Sequence, residues 1–277
     1  VLINVEKLGE FCFHIGGIGD IFYTLSSCYD EKESLTFLSY ANNPAVIKEL
    51  LGTFLKINRK LVLLNKGNYP DMAQTMSRAK FTGHLPPQLN YMNWAQYNIF
   101  KDFKLTQTSW LEEISKKRIR DFQVCLQPGG SGQGGHSNKK VCIKPEYWEF
   151  IIRTLRDNKI VPCVLGLPSD LDNYPTATNE NYTHLSLQEQ MQLIRASDLV
   201  IGADTWGKNL SLFAKIPTIV WKNYYINEMQ GFNEDPADPI FLYQWEEQGN
   251  LMLVEQDDNN ALSNFKNYLH SVINEKK

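Results

Sequence analysis

The chain reads as an α/β protein of two domains, each built on a parallel sheet. Three observations predict this. Apolar, strand-like runs alternate with segments of helical period along most of the sequence, the pattern of parallel strands joined by covering helices. Two of those runs end in glycine turns, Gly16-Gly-Ile-Gly-Asp20 and residues 129–135, and a helix start follows each. The length of 277 residues exceeds what one compact core ordinarily holds.

The elements follow in order. Residues 10–15 form an apolar strand, and residues 21–25 carry the apolar spacing of a helix after the glycine turn. This is the opening of a mononucleotide-binding half. It is not the dinucleotide fingerprint, because Phe22 stands where the third glycine belongs. Residues 34–40 and 60–64 read as strands, with a helix over 45–55 after Asn43-Pro44. The stretch 65–108 is aromatic, polar and turn-rich, and predicts helices and long loops. Residues 110–120 read as a helix whose closing Lys116-Lys-Arg-Ile-Arg120 suits a C-terminus.

The second half repeats the rhythm. The strand 123–127 runs into Pro128 and five glycines within seven residues. A helix over 147–155 then places Trp148, Ile151, Ile152 and Leu155 on one face. Strands are expected at 160–165, 198–202 and 217–221, and helices at 187–196, 210–214 and 259–273. Ser186 and Glu189 have the spacing of a capping box. Ligands of open parallel sheets bind beyond the C-terminal strand ends. Two such Rossmann-like domains facing a central cleft would place residues 16–20, 129–135 and 202–207 around one site.

Composition narrows the classes of function. A net charge of −3 gives no reason to expect non-specific nucleic-acid binding, although a local basic patch stays open. Five cysteines without a CxxC spacing read as buried free thiols of a reducing compartment. Five scattered histidines signal no metal site. No apolar run is long enough to span a bilayer and no signal pattern opens the chain, so a cytoplasmic protein is expected.

Three constellations can carry chemistry. Asp20, the only carboxylate in the first glycine turn, is a helix cap, a general base, or both. The loop around Gly129, Gly130 and Ser131, with Lys139 and Lys140 beyond it, is either a surface loop or an anion cradle. Gly202-Ala-Asp204-Thr205-Trp206-Gly207-Lys208-Asn209 ends a strand and opens a helix. It is a plain Asp/Thr cap or a set of backbone donors for a leaving diphosphate.

Taken together, these motifs resemble the heptosyltransferase family, glycosyltransferases of the two-domain GT-B fold that use ADP-heptose. Gly16-Gly-Ile-Gly-Asp20-Ile-Phe-Tyr-Thr-Leu25 is similar to its opening G-x-I-G-D motif. Leu126-Gln-Pro-Gly-Gly-Ser131 with Lys139, Lys140 and Pro145-Glu-Tyr-Trp148 resembles the start of its second domain. The segment 185–205 resembles its helix and A-D-L-x-I-G-x-D-[ST] strand. The resemblance implies Asp20 as catalytic base of an inverting, metal-independent transfer that needs no cofactor. It implies a donor site drawing on Gly17, Gly19, Gly129, Gly130, Ser131, Lys139, Lys140, Met191, Asp204, Thr205, Trp206, Gly207, Lys208 and Asn209. Its partners would be a nucleotide sugar and an acceptor glycan, glycolipid or other polymer.

By the same resemblance, residues 1–120 form the acceptor-side domain and residues 121–257 the nucleotide-sugar domain, with residues 258–277 packing back on the first. The family's D-[ST]-G-x-x-H pattern is altered here, with Trp206 in place of the glycine and Asn209 in place of the histidine. Donor sugar, base and acceptor stay open. So do two other readings, a sugar-nucleotide epimerase or non-catalytic binding protein, and a transferase acting on protein or modified DNA.

Overall fold

The computed structural model describes residues 3–31, 34–41, 44–55, 61–65, 68, 75, 78–82, 108–129, 143–172, 174–203, 205–222, 251–255 and 258–276. The chain divides into two compact units, Val1–Glu113 and Ile114–Lys277. The expected boundary at residue 120 therefore moves seven residues earlier.

In the first unit, β1 (Phe11–Gly16), β2 (Thr36–Ala41), β3 (Leu61–Leu64) and β4 (Phe81–Thr82) form a parallel sheet in the order β3-β2-β1-β4. Among the described residues its helices are α1 (Ile18–Cys28) and α2 (Pro44–Leu55). β4 lies in the stretch expected to hold only helices and loops. α1 buries Ile21, Phe22, Leu25 and Cys28, a helical spacing that fixes which face meets the sheet. Phe22, the residue that breaks the dinucleotide fingerprint, is fully buried and stacks on Trp110 with ring centroids 5.1 Å apart. Burial of such a ring stabilises by about 2–3 kcal/mol. Packing rather than phosphate access explains Phe22.

The helix expected over 110–120 is not formed. A 3-10 turn, Ser109–Glu113, is followed by irregular chain. Tertiary partners claim this segment instead. Trp110 donates its indole N–H to Ser26 Oγ at 3.0 Å, Lys117 N–H donates to Gln192 O at 3.0 Å, and Ile119 N–H donates to the Gln123 amide oxygen at 2.8 Å. The basic run is structural as well. Arg118 forks onto Asp198 at 2.7 and 3.1 Å, and Arg120 donates to Asn179 O and the Tyr182 hydroxyl.

The second unit carries a five-stranded parallel sheet in the order β6-β5-β7-β8-β9. Its strands are β5 (Val124–Gln127), β6 (Cys163–Val164), β7 (Leu199–Gly202), β8 (Thr218–Lys222) and β9 (Leu251–Glu255). β9 had no sequence expectation behind it. The helices are α3 (Pro145–Asp157), α4 (Leu187–Arg195), α5 (Trp206–Phe213) and α6 (Ala261–Glu275). α3 buries the expected face of Trp148, Ile151, Ile152 and Leu155. α4 opens on the capping box, with Ser186 Oγ accepting from Glu189 N–H at 3.3 Å and the Glu189 carboxylate accepting from Ser186 N–H at 3.1 Å.

α6 falls within the second unit. Its apolar stripe of Ala261, Phe265, Leu269 and Val272 belongs to the core that contains Trp148 and Trp221. Phe265 lies against Phe150 and Trp221, at 6.0 and 5.5 Å between ring centroids. A buried stripe of this width is spent on one partner surface, here the second sheet and α3. Cys12, Cys28, Cys125 and Cys163 are free and buried, as expected of them, and Cys142 lies outside the described residues.

Candidate functional site

Both sheets reverse direction at an interior strand. In the second unit the chain leaves β5 for β6 on one side, then crosses to β7 on the other. The crevice for a ligand in such a sheet lies past the C-terminal ends of the two strands flanking the reversal, here at Gln127 and Gly202. In the first unit the corresponding strands are β1 and β4.

At the β5–β7 reversal the organising residue is Gln127, which is only 3% exposed. Its amide oxygen accepts from Thr205 Oγ1–H at 2.5 Å and from Gly207 N–H at 3.2 Å. Thr205 is the N-cap of α5, but its hydroxyl serves Gln127 and makes no cap bond to the helix. One of the donors at the start of α5 is thus satisfied from a strand 80 residues away. The Gln127 carbonyl accepts from Ala203 N–H at 3.1 Å. A Cβ on Gly202 would sit 2.8 Å from that same carbonyl oxygen, and a Cβ on Gly207 would collide with the Gln127 amide oxygen. Both glycines are required by the close approach of neighbouring chain.

The sequence-expected donor residues fall into three groups. Thr205, Gly207 and Lys208 are buried at the start of α5, with Trp206 and Asn209 half-buried beside them. Gly129 is buried at the exit of β5, where Pro128 O accepts from Ile143 N–H at 2.8 Å, so the loop begins and ends at one point. Met191 on α4 is 1% exposed and packs in the interior. Its neighbour Gln190 ties down the turn after β6, accepting from Gly166 N–H at 2.8 Å and donating to Gly166 O at 3.0 Å. Gly130, Ser131, Lys139, Lys140 and Asp204 lie outside the described residues.

In the first unit Asp20 is half-buried in the first turn of α1, and its carboxylate accepts from Gly17 N–H at 2.7 Å. The cap reading of Asp20 is therefore realised. Gly17 is exposed at the N-cap and Gly19 is half-buried in the first turn. Fully buried His14 supports this loop from below, with Nε2 3.2 Å from Gly17 O and Nδ1 2.8 Å from Ser39 Oγ. The carbonyl can only accept, so Nε2 carries the proton and Nδ1 accepts from the serine hydroxyl. His14 and Gln127 were both missed as supports. The signal available for each was a polar side chain inside an otherwise apolar strand.

Among the described residues no group of three His, Cys, Asp or Glu could hold a metal ion, and no helix is long and apolar enough to cross a membrane.

No family model and no curated protein matches this sequence. Among solved structures, the chain is similar to ADP-heptose LPS heptosyltransferase II of E. coli. The TM-score is 0.51 at 10% identity, covering 95% of this chain and 99% of that one. It is also similar to a putative UDP-N-acetylglucosamine 2-epimerase from Listeria monocytogenes. There the TM-score is 0.53 at 11% identity, covering 95% and 88% respectively. The chain has the two-unit Rossmann-like fold of the GT-B class. At such identities the likeness is one of fold, and it spans both units. It agrees with the heptosyltransferase resemblance read from the motifs, and it leaves the chemistry to the residues.

Proposed function

We propose that the chain is a heptosyltransferase-like glycosyltransferase that moves a sugar from a nucleotide-diphosphate donor to an acceptor hydroxyl, with inversion and without a metal. The observation that carries this reading is the end of β5 and β7. Gln127, Gly202 and Gly207 bring the start of α5 tightly against the strand that opens the Gly129 loop. A helix start packed at a sheet reversal offers oriented N–H donors to a phosphate. A leaving diphosphate gains charge as its bond to the sugar breaks, so fixed donors stabilise the transition state more than the ground state. Lys139, Lys140, Lys208 and Asp204 complete the donor loops in this reading.

Asp20 takes the proton of the acceptor hydroxyl as that oxygen attacks the anomeric carbon. The hydroxyl oxygen forms the new bond, the donor oxygen leaves with the nucleotide diphosphate, and the proton ends on the carboxylate. The reading needs no cofactor, places the enzyme in the cytoplasm, and gives it a glycan, glycolipid or other polymer as acceptor.

Asp20→Asn tests the base separately from the cap. Asparagine still accepts from Gly17 N–H and remains a good N-cap, yet it cannot take a proton. Turnover should fall by about 10²–10⁴-fold, the usual contribution of a general base, with donor binding nearly unchanged. Undiminished turnover would remove Asp20 from that role.

The fold likeness to the 2-epimerase favours a second reading, in which the same site isomerises a nucleotide sugar without an acceptor. Product analysis with and without acceptor separates the two. A new sugar nucleotide formed in the absence of any acceptor would establish the epimerase.

A further inference from the structure

His14 and Ser39 are a polar pair set among apolar side chains of the first sheet. They are register partners on β1 and β2, and both are fully buried. Phe11, Phe13, Phe37 and Leu38 of the same strands are buried and apolar. Burying an imidazole and a hydroxyl costs free energy unless each is hydrogen-bonded. The 2.8 Å bond between Nδ1 and Ser39 Oγ offsets that cost. It gives the fold no net reason for the pair, because two apolar side chains of the same shape serve a core as well or better. The use of the pair lies in what it is aimed at.

Ser39 fixes the tautomer and the tilt of the ring. The proton on Nε2 then points one way, to Gly17 O at 3.2 Å. The residue it reaches has little hold on its own backbone. Gly17 is exposed and extended, at φ −97° and ψ −168°, and glycine has the widest conformational freedom of any residue. Its N–H donates to the Asp20 carboxylate at 2.7 Å. Gly17 is thus gripped at both of its polar groups, by a buried ring anchored on the neighbouring strand and by the proposed base. A carbonyl oxygen has two lone pairs, so the ring holds Gly17 O without displacing the helix bond that an N-cap carbonyl accepts.

We propose that His14 is the positioning residue for Asp20: it holds Gly17 so that the Gly17 N–H keeps the carboxylate in place to take the acceptor's proton. This rests on the base role proposed above for Asp20. A reacting group displaced by about 1 Å loses up to about 10²-fold in rate, which sets the scale of the effect.

The test compares the full-length wild type with two variants. His14→Leu combined with Ser39→Ala removes both polar groups and leaves no stranded hydroxyl, so the core stays satisfied. His14→Gln keeps a donor N–H near the place of Nε2. The first readout is the Gly17 amide signal in nuclear magnetic resonance, followed while the Asp20 carboxyl titrates. The amide should track that titration in the wild type, lose most of the response in the double variant, and regain it in His14→Gln. The second is release of ADP from ADP-heptose with lipopolysaccharide as acceptor. There kcat should fall about tenfold or more in the double variant, with KM for ADP-heptose unchanged, and His14→Gln should recover most of it. A Gly17 amide that tracks Asp20 in the double variant as in the wild type overturns the proposal. So does a loss that appears in KM rather than kcat, or one that His14→Gln does not restore. If the wild type releases no ADP, or Asp20→Asn turns over like the wild type, the base reading fails by itself. The Gly17 amide then still decides whether His14 sets the carboxylate.

Discussion

The two strand–glycine–helix junctions of the chain solve one problem in different ways. Each must satisfy orphan N–H groups where a buried parallel strand feeds a helix. In the first unit the solution is local, since Asp20 caps Gly17 from three residues away in a partly exposed turn. In the second it is remote and dry, since Gln127 of β5 serves Thr205 and Gly207 at the start of α5. A local cap leaves its carboxylate near solvent and able to exchange a proton. A remote, buried amide adds no negative charge where a diphosphate would sit. The chemistry proposed for each junction follows that contrast.

The contrast is tested most strongly by adding one methyl group to each junction. At Gly202 a Cβ meets the Gln127 backbone oxygen at 2.8 Å, whereas at Gly17 the nearest atom is the Asp20 carboxylate at 3.8 Å. Gly202→Ala should cost about 2–3 kcal/mol through overpacking against backbone, and Gly17→Ala less than ~1 kcal/mol. Chemical denaturation of both variants measures the gap. Equal losses would show that the second junction is no tighter than the first.

Replacing Gln127 comes next. Gln127→Leu strands a buried N–H and a buried O–H, and should destabilise by about 1–3 kcal/mol. Gln127→Glu keeps an acceptor and should fold better than the leucine variant, but it sets a negative charge beside the proposed diphosphate. Its affinity for ADP or UDP should drop while that of Gln127→Leu, measured where it is folded, drops less. The reverse order would deny Gln127 its place beside the donor phosphates.

A smaller effect concerns the edge of the second sheet. Burial alone would raise the Asp198 pKa, but bonds from Arg118 and Gln123 N–H outweigh it and hold the carboxyl below its ordinary value. A depressed folded-state pKa stabilises above the unfolded value of about 3.9 and loses that contribution as pH falls through the folded one. Because Arg118 is 47% exposed, solvent screens the pair, and Asp198→Asn should cost only about 1–2 kcal/mol at neutral pH. The difference from wild type should shrink below pH ~4. A pH-independent difference would mean that the charge is irrelevant.

How much of this was legible in the sequence depends on how far apart the partners lie. α3 and the α4 capping box rest on residues three or four apart, and both formed where the sequence placed them. Asp20 capping Gly17 belongs to the same kind. Gln127 reads as one polar residue in a strand, because its partners at 205 and 207 are fixed only by the pairing of β5 with β7. The basic run after Trp110 looked like a helix end because Asp198, which receives Arg118, is 80 residues away. The sequence of the final helix likewise shows an apolar stripe without saying which surface that stripe covers.

The central claim is that nucleotide diphosphate is held at the β5–β7 reversal of the second unit. Hydrogen–deuterium exchange of the wild-type chain with and without saturating ADP or UDP tests it most directly. The account predicts slowed exchange at Gly129 and across residues 205–209, with α6 and β9 unchanged. Nucleotide binding that leaves those amides unprotected would contradict it.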